Sequence, residues 1–108
     1  MTVHRPGSAL AEASDIADVF AMLAQHWRSE TGHLSIVQQK VMNRSYLEII
    51  GLGPPALPLL LCELRDRPAH WFLALSSIAR ENPVRSGATF DEAVADWLVW
   101  GRDRGLID

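Results

Sequence analysis

The stretch that decides the fold is GPPALPLLLCELRDRPAHWFLALSSIA, residues 53–79. Its apolar residues recur at the three- and four-residue spacing of a helix face, first as a run of leucines and then around a tryptophan. Proline suits the first turn of a helix, where its missing N–H is not needed, and Pro54 and Pro68 each precede such a face. The stretch therefore predicts two short helices, over 55–66 and 69–81.

The same helical spacing continues on both sides of this pair. The full set of predicted helices lies near residues 10–30, 34–50 with an interruption at Asn43, 55–66, 69–81 and 89–104. Two pairs, Ser35 with Gln38 and Thr89 with Glu92, have the spacing of a capping box at a helix start. No stretch alternates apolar and polar residues as a strand would. We therefore expect an all-α fold, a compact single-domain bundle of five to six helices over 9–108, preceded by a flexible tail over 1–8.

Composition narrows the class of protein. The chain has 108 residues, 48% hydrophobic and 21% charged, which is typical of one globular domain. Its single cysteine, Cys62, argues against a disulfide framework and a cysteine zinc site, and favours the reducing cytoplasm. No apolar run approaches the ~20 residues of a membrane span, and the first ten residues lack the apolar core of a signal peptide. We expect a cytoplasmic protein without membrane association.

The central hairpin resembles a known repeat. GLGPPALPLLLCEL followed by HWFLALSSIAREN is similar to a HEAT-type repeat, in which a helix with a Gly-x-x-Ala-x-Pro start precedes a second, antiparallel helix. The resemblance covers residues 51–82, and no second copy follows at the 30–45-residue period of a solenoid. The same stretch is similar to short bacterial proteins with an IIGxG…ALPL…ELRDRPxHWF signature, a likeness that brings no activity with it. By analogy with HEAT repeats, the hairpin over 51–82 implies a scaffold that binds protein.

Candidate catalytic and metal-binding residues are few. His70, with Glu63 or Glu81 in reach, has the makings of a general base, but no nucleophile or oxyanion donor accompanies it. His26 and His33 are seven residues apart and lack the i, i+4 spacing of a helical zinc site. We therefore predict that the chain is not an enzyme and has no cofactor and no metal.

An interaction module fits the residue usage better than an enzyme. The chain has four tryptophans, and tryptophan and arginine dominate the hot spots of protein interfaces. The predicted function is a small adaptor, accessory subunit or inhibitor, with an antitoxin-like or immunity role included, that docks on a larger protein encoded by a neighbouring gene. Association into a homo-oligomer is left open. The predicted partner-binding residues lie at two places, the start of the 69–81 helix with Arg67, His70 and Phe72, and the last helix with Trp100, Arg102 and Arg104.

A second function class stays open. Arg65, Arg67, Arg80 and Arg85 could gather at one end of the hairpin and bind a nucleic acid, with Trp71 stacking on a base. The interleaved acids Glu63, Asp66 and Glu81 and the net charge of −3 favour instead a solvated surface of ion pairs. Nucleic-acid binding is therefore the alternative, and a protein partner is preferred.

Overall fold

The computed structural model describes residues 8–108, with side chains from Asp15 onward. This part of the chain contains six α-helices and no strand. The helices are α1 Ser8–Thr31, α2 Val37–Val41, α3 Arg44–Leu52, α4 Leu57–Asp66, α5 Phe72–Ala79 and α6 Phe90–Asp103, and a 3-10 turn, Pro54–Ala56, precedes α4. The expected single-domain, all-α bundle is therefore confirmed. The tail predicted over 1–8 lies outside the described residues except for Ser8, the first residue of α1.

Helix α3 holds the bundle together because it packs against both α1 and α5, while α4 packs against α6. At the meeting point of α1, α3 and the start of α5, four aromatic rings form one buried cluster. The Trp71 ring lies 4.2 Å from that of Trp27, 5.5 Å from that of Tyr46 and 6.2 Å from that of Phe20, measured between centroids. Aromatic pairs at these separations stabilise a core beyond the apolar area that they bury.

Two helices begin where a polar side chain caps the backbone N–H groups of the first turn. Thr89 and Glu92 form the predicted capping box at the start of α6. The Asn43 side chain accepts hydrogen bonds from the backbone N–H groups of Ser45 and Tyr46, so the residue that interrupts the second predicted helix is the N-cap of α3. The capping box expected at Ser35 was wrong, because α2 begins one residue later, after Ile36, and has no side-chain cap.

Helix α5 is shorter than the predicted 69–81, and Tyr46 is the reason at its start. The Tyr46 hydroxyl donates a hydrogen bond to the His70 carbonyl, at 2.9 Å, and accepts one from the Ala74 N–H, at 3.0 Å. Those two backbone groups are the i−4 and i partners that a continuous helix would join directly. The hydroxyl is thus inserted into the first turn, and the regular ladder starts only with Leu75 bonding to Trp71.

The other end of α5 is set by a left-handed residue. Arg80 has φ 60° and ψ 31°, and its N–H bonds to the Ser76 carbonyl. A non-glycine residue in this region ends a helix at a cost of about 1–2 kcal/mol, which the surrounding packing must supply.

Helix α6 fits closely on α4. Leu60, Leu61 and Leu64 of α4 are fully buried, as is Trp97 of α6. A Cβ built on Gly101 would lie only 2.7 Å from Leu61 Cδ1, so the missing side chain lets the two helices approach. Residues 67–71 join α4 to α5, and the HEAT-like character of that hairpin stays a prediction.

No single helix among residues 8–108 is long and apolar enough to cross a membrane. Helix α3 and the segment Pro54–Asp66 reach the necessary length only together, and they meet at a bend of 105°.

Candidate functional site

Three aromatic side chains meet at the surface where α5 and α6 begin. The His70 ring lies 5.1 Å from the Phe90 ring, and Phe72 lies 5.3 Å from Phe90, in both cases edge to face. Phe90 is 37% exposed, and beside Phe72 in the chain Leu73 is 45% exposed. We call these four residues, His70, Phe72, Leu73 and Phe90, the aromatic surface. It presents apolar area on a helix start instead of on a loose loop.

The elements beneath fix these side chains in place. Tyr46 holds the His70 carbonyl, as described above, and it is fully buried. Burial raises the pKa of Tyr46 to about 12, against the lowering effect of its backbone hydrogen bonds, so the hydroxyl stays protonated and able to donate at neutral pH. On the other side the Thr89–Glu92 capping box fixes Phe90 as the first residue of α6. The backbone that carries the aromatic surface is therefore fixed on both sides.

Lys40 contributes a positive charge near His70 of the aromatic surface. Burial lowers the pKa of His70 below its ordinary value, and the nearby positive charge of Lys40 lowers it further. Lys40 is half-buried and forms no ion pair with any of residues 15–108. Its backbone carbonyl accepts a hydrogen bond from Trp27 Nε1 at 2.8 Å, which fixes α2 against the core. At neutral pH, His70 is therefore mainly uncharged and Lys40 supplies the local charge.

Arg67 adds a second cation at the end of α4. Its side chain is exposed, while its carbonyl accepts a 2.7 Å hydrogen bond from Arg28 Nη2. The same guanidinium donates to Glu63 Oε2 from Nη2, at 2.8 Å, and from Nε, at 3.1 Å. Arg28 thereby ties α1 to the end of α4, and the Arg67 backbone is positioned by a charge-assisted bond.

Phe72, one of the predicted binding residues at the start of α5, belongs both to the core and to the aromatic surface. It is half-buried and packs against the hydrophobic core as well as against His70 and Phe90. The exposed apolar area therefore comes mainly from Leu73 and Phe90, which sequence reasoning did not select. Phe90 is twenty residues from His70 in the chain, so no local pattern signals that their rings touch.

The predicted binding residues on α6 make contacts within the chain itself. Trp100, whose exposure the sequence left open, is only 8% exposed, and its Nε1 donates to Glu81 Oε1 at 3.0 Å. The Arg104 guanidinium lies 4.9 Å from the centre of the Trp100 ring and donates to the same Glu81 oxygen at 2.8 Å. These bonds, with that from Trp100 first, lower the pKa of Glu81. Arg102 donates to the Asp108 carbonyl at 3.4 Å. Trp100 is thus covered by its own neighbours, and the aromatic anchor expected on α6 is not exposed.

The four arginines proposed for nucleic-acid binding are divided between two situations. Arg65 pairs with Asp66 at 2.9 Å, and Arg85 Nε donates to Asp96 at 3.0 Å. The hydrogen bonds from Arg85 lower the pKa of Asp96 to about 2. Arg67 and Arg80 are exposed and have no ion pair within the described part of the chain. A phosphate backbone would have to compete with carboxylates for half of this set, which weakens that alternative.

A separate groove lies between α1 and α4. This groove has a volume of about 520 Å³ and is bounded by Ala17, Ala21 and Ala24 on α1 and by Leu59 and Cys62 on α4. The Arg28–Glu63 ion pair closes one end of it, so the charges at that end offset each other. Apolar side chains and charged ones line the groove together, and the carboxylate of Glu63, the residue after Cys62, is held by Arg28.

Metal-binding groups do not come together in the part of the chain with described side chains, where no three His, Cys, Asp or Glu residues are grouped to hold an ion. Comparison of the chain with models of protein families, with curated proteins and with solved structures finds no match.

Proposed function

We propose that this chain is a non-enzymatic interaction module of the cytoplasm, a small adaptor, accessory subunit or inhibitor that docks on a larger protein through the aromatic surface. The observation that carries the proposal is the edge-to-face cluster of His70, Phe72 and Phe90, with Leu73 and Phe90 exposed on rigid helix starts. Fixed aromatic groups surrounded by polar residues are the usual centre of a protein interface.

The energetics of the surface support docking. Fully burying a wholly exposed large apolar side chain contributes about 1.5–3 kcal/mol. Phe90 and Leu73 are 37% and 45% exposed, so each can contribute roughly half of that or less under a partner. Because Tyr46 and the capping box already fix the backbone, little conformational entropy remains to be lost on binding. A neutralising role towards a toxin encoded by an adjacent gene is one form that such docking takes.

The test is recovery of the partner with variants of the intact protein. Phe90→Ser removes an exposed ring, and Val99→Ser, which alters another exposed apolar residue of α6, at 51% exposure, is the matched control. We expect the protein purified from its native host to carry a stoichiometric partner, which Phe90→Ser loses and Val99→Ser retains. Phe90→Ser also loses the ring contacts to His70 and Phe72, about 0.5–1.5 kcal/mol each, so its thermal midpoint should fall by several degrees while the protein stays folded. The thermal midpoint of Val99→Ser should stay close to that of the wild type. A folded Phe90→Ser variant that keeps its partner would place the interface elsewhere.

A double change of Arg67 and Phe72, two of the binding residues predicted from the sequence, is a poorer test. Phe72 packs partly against the core, so its removal lowers the free energy of unfolding as well as any affinity. Leu73 is the next residue of α5, about 100° around the helix from Phe72, and it is exposed, so its substitution disturbs the core less.

A further inference from the structure

Helix α2 carries exposed apolar residues as well. Ile36 and Val37 are large apolar residues that face solvent where α2 begins. Val37 is three residues before Lys40 on the same short helix, which places the two side chains on one side of it. The apolar stem of Lys40 therefore lies beside exposed apolar area.

Lys40 also lies near the segment that leads into α5. Its charge acts on His70, as the lowered pKa of that imidazole indicates. In addition, Lys40 and Ala69, the residue before His70, line a single small pocket of about 130 Å³. Lys40 thus lies between the exposed apolar residues of α2 and the backbone segment that carries His70. We call Ile36, Val37, Lys40 and the four residues of the aromatic surface together the extended surface.

The charge of Lys40 restricts the partner of the extended surface. Lys40 is half-buried already and has no carboxylate partner among residues 15–108. A docked protein would remove its remaining water, and an ammonium without a counter-ion in an apolar contact is costly. Arg28, which lines the same small pocket as Lys40, is already paired with Glu63. Arg67 at the end of α4 and Asp91 beside Phe90 are exposed and can keep their water.

We infer that the extended surface binds an apolar protein segment that carries a carboxylate opposite Lys40. This inference rests on the proposed docking function and adds the chemistry of the partner to it. Apolar side chains of the segment cover Phe90 and Leu73 on one side of the lysine and Val37 on the other, and its Asp or Glu accepts hydrogen bonds from Nζ of Lys40. Lys40 is the only lysine of the chain, so its contribution can be removed by one substitution.

The probe is a library of displayed random peptides selected on the intact wild-type protein. Selected peptides are then synthesised, each with its acidic residue and with the corresponding amide. Affinity is measured by fluorescence polarisation for the wild type, Lys40→Met, Phe90→Ser and the control Val99→Ser. Methionine keeps much of the apolar stem of lysine and removes the charge.

We expect the selected peptides to carry an acid between apolar residues. Lys40→Met should weaken their binding by about 30-fold, as loss of one member of a covered ion pair does. The acid-to-amide peptide should lose a similar factor on the wild type and little more on Lys40→Met, because both changes remove the same pair. Val99→Ser should bind as the wild type does.

The outcomes separate this inference from the function on which it rests. Peptides that lose affinity with Phe90→Ser but are indifferent to Lys40→Met would overturn the carboxylate inference and leave docking at the aromatic surface intact. Peptides indifferent to both substitutions, or no enrichment at all, would overturn both. Selection of basic peptides would likewise contradict the charge argument.

Discussion

Replacing Tyr46 with phenylalanine tests the contact that shapes the candidate site. The substitution keeps the stacked ring, 8° from parallel to Trp71, and removes only the hydroxyl between the His70 carbonyl and the Ala74 N–H. Tyr46 is fully buried, so water cannot replace its oxygen without a rearrangement. Leaving one buried polar group unsatisfied costs about 1–3 kcal/mol, and two groups are affected here.

Part of that cost can be recovered. In Tyr46→Phe the Ala74 N–H and the His70 carbonyl are free to bond to each other and to extend α5 by one turn, as the sequence pattern alone predicts. We therefore expect a net loss of about 2 kcal/mol in the free energy of unfolding, which lowers the thermal midpoint by roughly 8 °C or more. Urea unfolding measures the first quantity and calorimetry the second.

The matched control is Leu47→Ala, which changes the next residue of α3, one that is 47% exposed. We expect it to alter the free energy of unfolding by less than about 0.5 kcal/mol. Amide hydrogen exchange adds a local measurement, because the Ala74 N–H should exchange faster in Tyr46→Phe than in the wild type. A Tyr46→Phe variant as stable as Leu47→Ala would refute the argument that the hydroxyl is a structural part of the first turn of α5.

Two further predictions concern packing and pH. Gly101→Val should lower the free energy of unfolding by about 1–3 kcal/mol in urea titrations, because its side chain would overlap Leu61. At Gly51 nothing lies within 4 Å of an added Cβ, so the control Gly51→Val should be neutral or slightly stabilising. Equal effects of the two substitutions would contradict the close fit of α6 on α4. Burial and the charge of Lys40 lower the pKa of His70 in the folded state, so the unfolded chain takes up a proton more readily than the folded one. The free energy of unfolding therefore falls as the pH drops from above the ordinary pKa of 6.5 towards the folded pKa. Unfolding measured at about pH 7.5 and about pH 5 should show a smaller loss in His70→Gln than in the wild type, and an equal loss would show that His70 does not contribute.

The apolar spacing predicted the buried faces of α1 and α4, which are each contained in one helix, but it also placed Val37 and Phe90 on apolar faces, and both are exposed. Phe20, Leu23 and Trp27 of α1 are buried as their spacing indicates, and so are the leucines of α4. The helix starts were predictable where the capping residue is adjacent, as at Thr89. Propensity and periodicity act over one or two turns, and these features need no more.

The features that sequence did not reveal depend on partners far along the chain. The start of α5 is set by Tyr46, 28 residues before Ala74, and Trp100 is covered by Glu81, 19 residues before it. Likewise, the contact between His70 and Phe90 arises only when α5 and α6 are brought together. For this reason the sequence directed attention to the start of α5, where binding stays a prediction, but not to Leu73 and Phe90, which are exposed there.

Site-specific photo-crosslinking is the most direct test of docking through the aromatic surface. A photoreactive phenylalanine analogue placed at Leu73, in the native host, lies within that surface, while the same group at Leu47 is almost equally exposed but on α3. The proposal predicts one discrete cross-linked protein from position 73, lost when Phe90 is also changed to serine, and none from position 47. Cross-linking from position 47 instead, or equally from both positions, would contradict it.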